Sequence, residues 1–105
     1  MTKINHKALE FTHPGVLLKQ DLEELSLTKY FVSKQTGISQ VNLGKILKGE
    51  RSITADTGLR LAKFLGVSEN YFINMQKQFD TQKAKEANKE IYEQITTYPP
   101  LSHTA

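Results

Sequence analysis

Four side chains within six positions, Gln40, Val41, Asn42 and Lys45, are of the types that read base edges. A Gln or Asn amide combines a donor with an acceptor, which matches the pair of groups an adenine presents in the major groove. Val41 offers an apolar surface to a thymine methyl, and the Lys45 ammonium can donate to guanine O6 or N7. Around these stand Lys29, Lys34, Lys48 and Arg51 and the hydroxyls of Ser39 and Thr54. They are donors for phosphate oxygens, contacts that set register without carrying sequence information. Taken one by one, each residue fits a solvated surface equally well; the grouping is what points to nucleic acid.

The charge distribution agrees. The chain has 105 residues and a net charge of +3. Residues 1–52 hold eight Lys/Arg against five Asp/Glu, whereas residues 53–105 hold six of each. From position 29 to 51 the acid Glu50 stands alone among five bases. The excess therefore sits where phosphate binding would need it. The length fits one domain. With no cysteine there is no disulfide framework and no thiolate chemistry. No run approaches the roughly 20 apolar residues of a membrane span, and the start, MTKINHKALEF, lacks an apolar signal core. A cytoplasmic protein without a membrane partner is expected.

Helices must position these groups, and their ends are written plainly. Pro14 suits the first position of a helix, and Leu18, Leu22 and Leu25 continue it at helical spacing to Leu25. Thr28 can cap a second helix ending at Gly37, Ser39 a third ending at Gly49, and Thr54 a fourth ending at Gly66, with Asp56 in its positive first turn. Ser68 can cap a fifth, with Glu69 just inside. Strand-like alternation is absent. The expected fold is all-α, a compact bundle of five short helices over 13–80. An N-terminal arm (1–12) precedes it. A polar extension (81–105) follows, helical to about Ile95 through Ala84, Ala87 and Ile91, and frayed after Tyr98-Pro99-Pro100.

The second and third helices, Thr28–Gly49, read as a helix-turn-helix, with an ordinary helical hairpin as the alternative. Leu43, Ile46 and Leu47 share one side of the third helix and would pack on Phe31 and Val32. Ser33 permits close approach, Gly37 makes the turn and Ile38 plugs the corner. The opposite side then faces a DNA major groove. Gly44, beside that side, costs about 1 kcal/mol of helix stability relative to alanine and suggests close approach to DNA or a packing role. Phe72, Met75 and Phe79 make an apolar stripe on the fifth helix, the candidate dimer surface; closing the monomer core is the alternative.

Three further segments carry a resemblance. His13-Pro14-Gly15, then Ile53-Thr54-Ala55-Asp56-Thr57, then Leu65-Gly66-Val67-Ser68 followed by Tyr71-Phe72-Ile73-Asn74-Met75-Gln76 resemble the HigA-type antitoxins in order and spacing. These are helix-turn-helix proteins of the same class as the phage lambda-type repressors. The resemblance covers residues 13–80. It implies a lambda-repressor-like fold, a homodimer bound to a palindromic operator in its own promoter, and a small cognate toxin, usually a ribosome-dependent ribonuclease, that the antitoxin binds and neutralises. The chain departs from the pattern at Val16, where Glu is frequent, and at Gly58, where alanine is common. Neither position touches the reading face. The segment after Asp80 matches no pattern, which leaves the toxin contacts unassigned.

A dimer makes physical sense, since one recognition helix offers few base contacts and a twofold pair reads half-sites about 34 Å apart. No enzyme is expected. His6, His13 and His103 are scattered, and no metal-ligand spacing, phosphate loop or nucleophile elbow occurs. Neither cofactor nor metal is expected. Two other readings remain at this level: a stand-alone repressor, and a protein-binding module that no longer reads DNA.

Overall fold

The computed structural model describes residues 12–99. The N-terminal arm up to residue 11, His6, His103 and the end of the extension lie outside them. Six helices occupy the described residues: α1 (Pro14–Glu24), α2 (Lys29–Thr36), α3 (Gln40–Leu47), α4 (Ala55–Leu65), α5 (Tyr71–Ala87) and α6 (Lys89–Glu93). No strand occurs among them.

Local chemistry explains the boundaries. Thr28, Ser39 and Thr54 each accept a hydrogen bond from the backbone N–H three residues on, at 3.0, 3.0 and 3.2 Å. His13 caps α1 with its Nδ1, which accepts from Gly15 N–H, two residues on, at 2.8 Å. Ser68 is a correction. The fifth helix starts at Tyr71, with Asn70 in the cap position and no side-chain cap. The Ser68 hydroxyl instead accepts from Asn70 N–H within the preceding turn.

At the other ends, Gly37 and Gly66 take the left-handed conformation, as glycine does at little steric cost. Gly49 follows α3 in the same way. Gly49 N–H donates to Ile46 O and Glu50 N–H to Lys45 O, closing the last turn of α3 in a Schellman motif. α1 ends in the same motif without a glycine: Ser26 holds φ 59° while Leu27 N–H reaches Leu22 O.

The core is one cluster: Leu18, Leu22, Val32, Ile38, Leu43, Ile46, Ile53, Leu61, Ala62 and Phe72. It draws on α1 to α5 and on the loops at Ile38 and Ile53. Two expectations about it are corrected. Leu25 leaves the apolar stripe and is 57% exposed, because the chain turns away at Ser26; Leu17 is buried in α1 instead. Phe31 is half-exposed and meets Phe64 of α4 edge to face at 6.2 Å rather than packing beneath α3.

α5 is longer than expected, and the anticipated boundary at residue 80 falls inside it. Its first half packs on α4 and α1, whereas α6 packs on α5 alone. The molecule is correspondingly long, 54 × 26 × 25 Å, with a radius of gyration of 17.0 Å against about 13 Å for a compact chain of this length.

Candidate nucleic-acid interface

Two contacts fix α3 in place. The first is with α1. A Cβ built on Gly15 would lie 1.8 Å from the carbonyl oxygen of Ile46, so the backbones of α1 and α3 touch where a side chain has no room. The second is the turn itself. Ser33 Oγ donates to the Ile38 carbonyl, and Thr36 Oγ1 donates to Val32 O at 2.8 Å while accepting from Ile38 N–H at 3.2 Å. The turn between the two helices is thus tied by side chains as well as by Gly37.

At about 3.6 residues per turn, Leu43 and Ile46 enter the core and Val41, Lys45 and Lys48 project from the opposite side. Leu43 and Ile46 are fully buried, and Val41 is 68% exposed. Gln40, Val41 and Lys45 are all exposed, and none engages another side chain in a hydrogen bond or ion pair. A row of unengaged donors and one apolar side chain therefore faces outward from the first turns of α3.

The flanks of this row differ. On one side the Lys29 ammonium lies over Gly44, 3.3 Å from where a Cβ would stand. Lys19, Lys29 and Lys48 line a cleft there whose floor is Leu22, Leu27 and Leu47. Gly44 thus looks onto Lys29, and its missing side chain leaves room for that lysine. On the other side Arg51 Nη1 donates to Asn42 Oδ1 at 2.8 Å. Asn42 is half-buried, and its amide oxygen already holds the guanidinium in place. The basic groups at Lys29 and Arg51 thereby bracket the exposed row.

The remaining candidates fall outside this bracket or are partly engaged. Lys34 lies on the outer face of α2 with its ammonium 5.9 Å from the centre of the Tyr30 ring. Ser39 caps α3 through its oxygen, which leaves the hydroxyl proton available. Thr54 caps α4 and donates to Thr57 Oγ1 at 3.2 Å. On the fifth helix Phe72 is 2% exposed. That corrects its assignment to a dimer surface, since it is spent on the monomer core. Met75 packs partly buried against the same core. Phe79 is half-buried and meets His13 edge to face at 5.2 Å.

Two residues, Arg60 and Gln76, take structural roles that the sequence did not single out. Arg60 on α4 donates from Nη1 to Thr36 O at 2.8 Å, satisfying a carbonyl at the end of α2, while its Nε pairs with Asp56 at 3.0 Å. The Asp56–Arg60 spacing of four was the available signal. Buried Gln76 accepts from Ile53 N–H at 2.9 Å and donates to Asp80 at 3.0 Å, which pins the loop after α3 to α5. An amide inside the stripe Phe72-Met75-Phe79 was its signal. His13 is more than a cap: burial holds its pKa below the ordinary 6.5, and Lys83 adds to this, against the raising effects of Asp80 and of a hydrogen bond with the Arg51 backbone.

The family model for helix-turn-helix proteins matches residues 18–72. The chain belongs to the helix-turn-helix family. A curated relative, virulence-associated protein I of Dichelobacter nodosus, is 31% identical over 80 residues, 75% of this chain and 74% of that one. Among solved structures, the chain is similar to an addiction module antidote protein of the HigA family from Coxiella burnetii. The TM-score is 0.77 at 38% identity, over 82% of this chain and 96% of that one. It is also similar to the antitoxin HigA of Pseudomonas aeruginosa solved with the higBA promoter, TM-score 0.75 at 27% identity, over 80% and 94% of the two chains. Within the helix-turn-helix family the chain is thus of the HigA antitoxin type, with the lambda-repressor-like fold expected. That membership, in a family of DNA-binding regulators, places it outside the enzymes. Among the described residues no helix is long and apolar enough to cross a membrane.

Proposed function

We propose that the chain is an autoregulatory antitoxin of the cytoplasm, which represses its own operon as an operator-bound homodimer and neutralises a small ribonuclease-type toxin. The observation that carries the DNA-binding half is the exposed, unengaged row Gln40, Val41 and Lys45 on α3, bracketed by Lys29 on one flank and by Arg51 on the other. The row has the chemistry of base readout, and the bracket has the chemistry of phosphate contact on either side of a groove. Lys48 and the Ser39 hydroxyl extend the phosphate contacts. Asn42 supports readout by orienting Arg51, and Lys34 and Thr54 contribute at the edge. The solved HigA of Pseudomonas aeruginosa, bound to promoter DNA, supports this use of the fold. The toxin-neutralising half rests on the HigA type alone.

A shift assay with the DNA upstream of the gene, run with and without the co-expressed product of the adjacent gene, tests both halves. Competition-resistant binding to that DNA and co-purification of a small basic partner are expected. Binding that random DNA competes away would overturn the repressor reading. Absence of any co-purifying partner would overturn the toxin reading.

A further inference from the structure

The cleft on the Lys29 flank of α3 reaches a third helix. Its volume is about 290 Å³, and Lys19 of α1 stands on its rim with Lys29 of α2 and Lys48 of α3. All three lysines are exposed, and none pairs with a carboxylate among the described residues. Beneath them Leu22 is buried, and Leu27 and Leu47 are half-buried. Glu23, also exposed, is the acid on the α1 wall.

The position of the cleft indicates what fills it. An α-helix is roughly 10–12 Å across with its side chains, and the major groove is about 12 Å wide. A helix lying in that groove therefore has one strand's backbone against each flank. Arg51 stands on one flank of α3, held by Asn42. The other flank is this cleft, which shares Gly44 and Lys48 with the outer side of α3. A sugar–phosphate backbone presents an anion and an apolar sugar in alternation, and the cleft presents cations above and leucines below. Its three lysines stand against one acid, Glu23, so an anion is favoured there.

We infer that the cleft seats the sugar–phosphate backbone of one operator strand, with Lys19 as a phosphate contact supplied by α1 and Glu23 as an opposing charge that weakens the seat. The inference rests on the DNA-binding reading of α3 and adds a helix to its footprint. Lys19 lies four residues past Gly15, where α1 touches the Ile46 backbone. One face of α1 thus both braces the recognition helix and reaches the DNA beside it. A contact made from that face fixes the angle at which α3 enters the groove, since phosphate contacts set orientation and carry no sequence information. Glu23 lies one turn further along the same face and brings a carboxylate to the phosphates.

Fluorescence anisotropy titrations of the full chain test it, on a duplex of the DNA upstream of the gene and on a random duplex of equal length. Lys19→Ala should weaken both by a similar factor, roughly five- to tenfold near about 50 mM salt. Releasing one counterion fewer lowers the salt slope by about 0.9, so that loss should shrink about three- to fourfold by about 200 mM. Glu23→Gln should tighten both duplexes roughly two- to threefold. Lys85→Ala, the same change of charge on the distal half of α5, should do neither. All three positions are exposed, so helical circular dichroism should match wild type. If Lys19→Ala moves affinity and slope no more than Lys85→Ala does, the assignment falls while α3 remains the reader. A loss confined to the upstream duplex would make Lys19 a base reader and overturn the phosphate contact. Wild-type DNA affinity in Lys19→Ala, combined with loss of the co-purifying partner, would give the cleft to an acidic protein segment instead. Wild type that binds neither duplex would overturn the DNA-binding reading itself.

Discussion

Replacing Gly15 by alanine adds one methyl group at the closest approach of α1 to the recognition helix. The new carbon would stand 1.8 Å from Ile46 O, 2.7 Å from the Ile46 carbonyl carbon and 3.0 Å from Ile46 Cγ2. Ordinary contact begins near 3.5 Å, so α1 and α3 must part by roughly 1.5 Å. The obstacle is backbone, and its residue is fully buried, so no side-chain rotation relieves the clash. Overpacking of this kind costs about 3 kcal/mol, offset by up to about 1 kcal/mol of better helix propensity. The expected net loss is about 2 kcal/mol, or a fall in Tm of roughly 8–16 °C at 4–8 °C per kcal/mol. Urea and thermal unfolding followed by circular dichroism measure it. Gly44→Ala is the control, on α3 where it faces α2. Its nearest neighbour is the mobile tip of Lys29 at 3.3 Å, so it should be neutral or stabilising by up to about 1 kcal/mol. If the two variants move stability in the same direction, the steric reasoning fails.

Three further outcomes follow from the same geometry. Lys45→Ala should weaken operator binding by about 1–3 kcal/mol and relax preference at one base position; equal losses on operator and random DNA would show that Lys45 touches phosphate only. Gln76→Leu leaves Ile53 N–H buried without its acceptor and should cost about 1–3 kcal/mol in urea unfolding, whereas a neutral result would mean that water replaces the amide. Because the folded state lowers the His13 pKa, its neutral form is favoured there; this contribution is complete above the unfolded value near 6.5 and is lost as pH falls below it toward the folded value. Stability should therefore drop as pH falls through and below the unfolded value, and His13→Asn, which keeps a capping oxygen, should flatten that profile; an unchanged slope in the variant would assign the drop to other groups.

What the sequence disclosed and what it hid divide along a physical line. Thr28, Ser39 and Thr54 cap their helices because the bond is local, three residues long, and needs no tertiary partner. Gly37, Gly49 and Gly66 end helices for the same reason. Ser68 misled because a hydroxyl can serve a turn as readily as a helix, and here the chain makes one more turn before Tyr71. Phe72 was visible as apolar, but whether it faced the core or a second molecule depended on where α4 lies. Arg60 and Gln76 act across 24 and 23 residues of chain, a distance over which no pattern in one sequence fixes a partner. At the candidate interface, the residue types were legible and their engagements were not. Asn42 looks like a base reader in the sequence, and its bond to Arg51 is set by the loop that follows α3.

The unengaged state of Gln40, Val41 and Lys45 bears on how such a regulator changes over generations. These side chains hold nothing up, and substitutions at exposed positions of this kind usually move stability by no more than about 0.5 kcal/mol. If these three side chains read the bases as proposed, retuning the operator preference leaves folding intact, and new specificities are reachable by single replacements at these positions. Asn42 and Gly15 are different: a change at either disturbs the frame from which the other residues read. Divergent copies of the chain can thus drift apart in the DNA they recognise while keeping one scaffold, which insulates neighbouring systems from cross-talk.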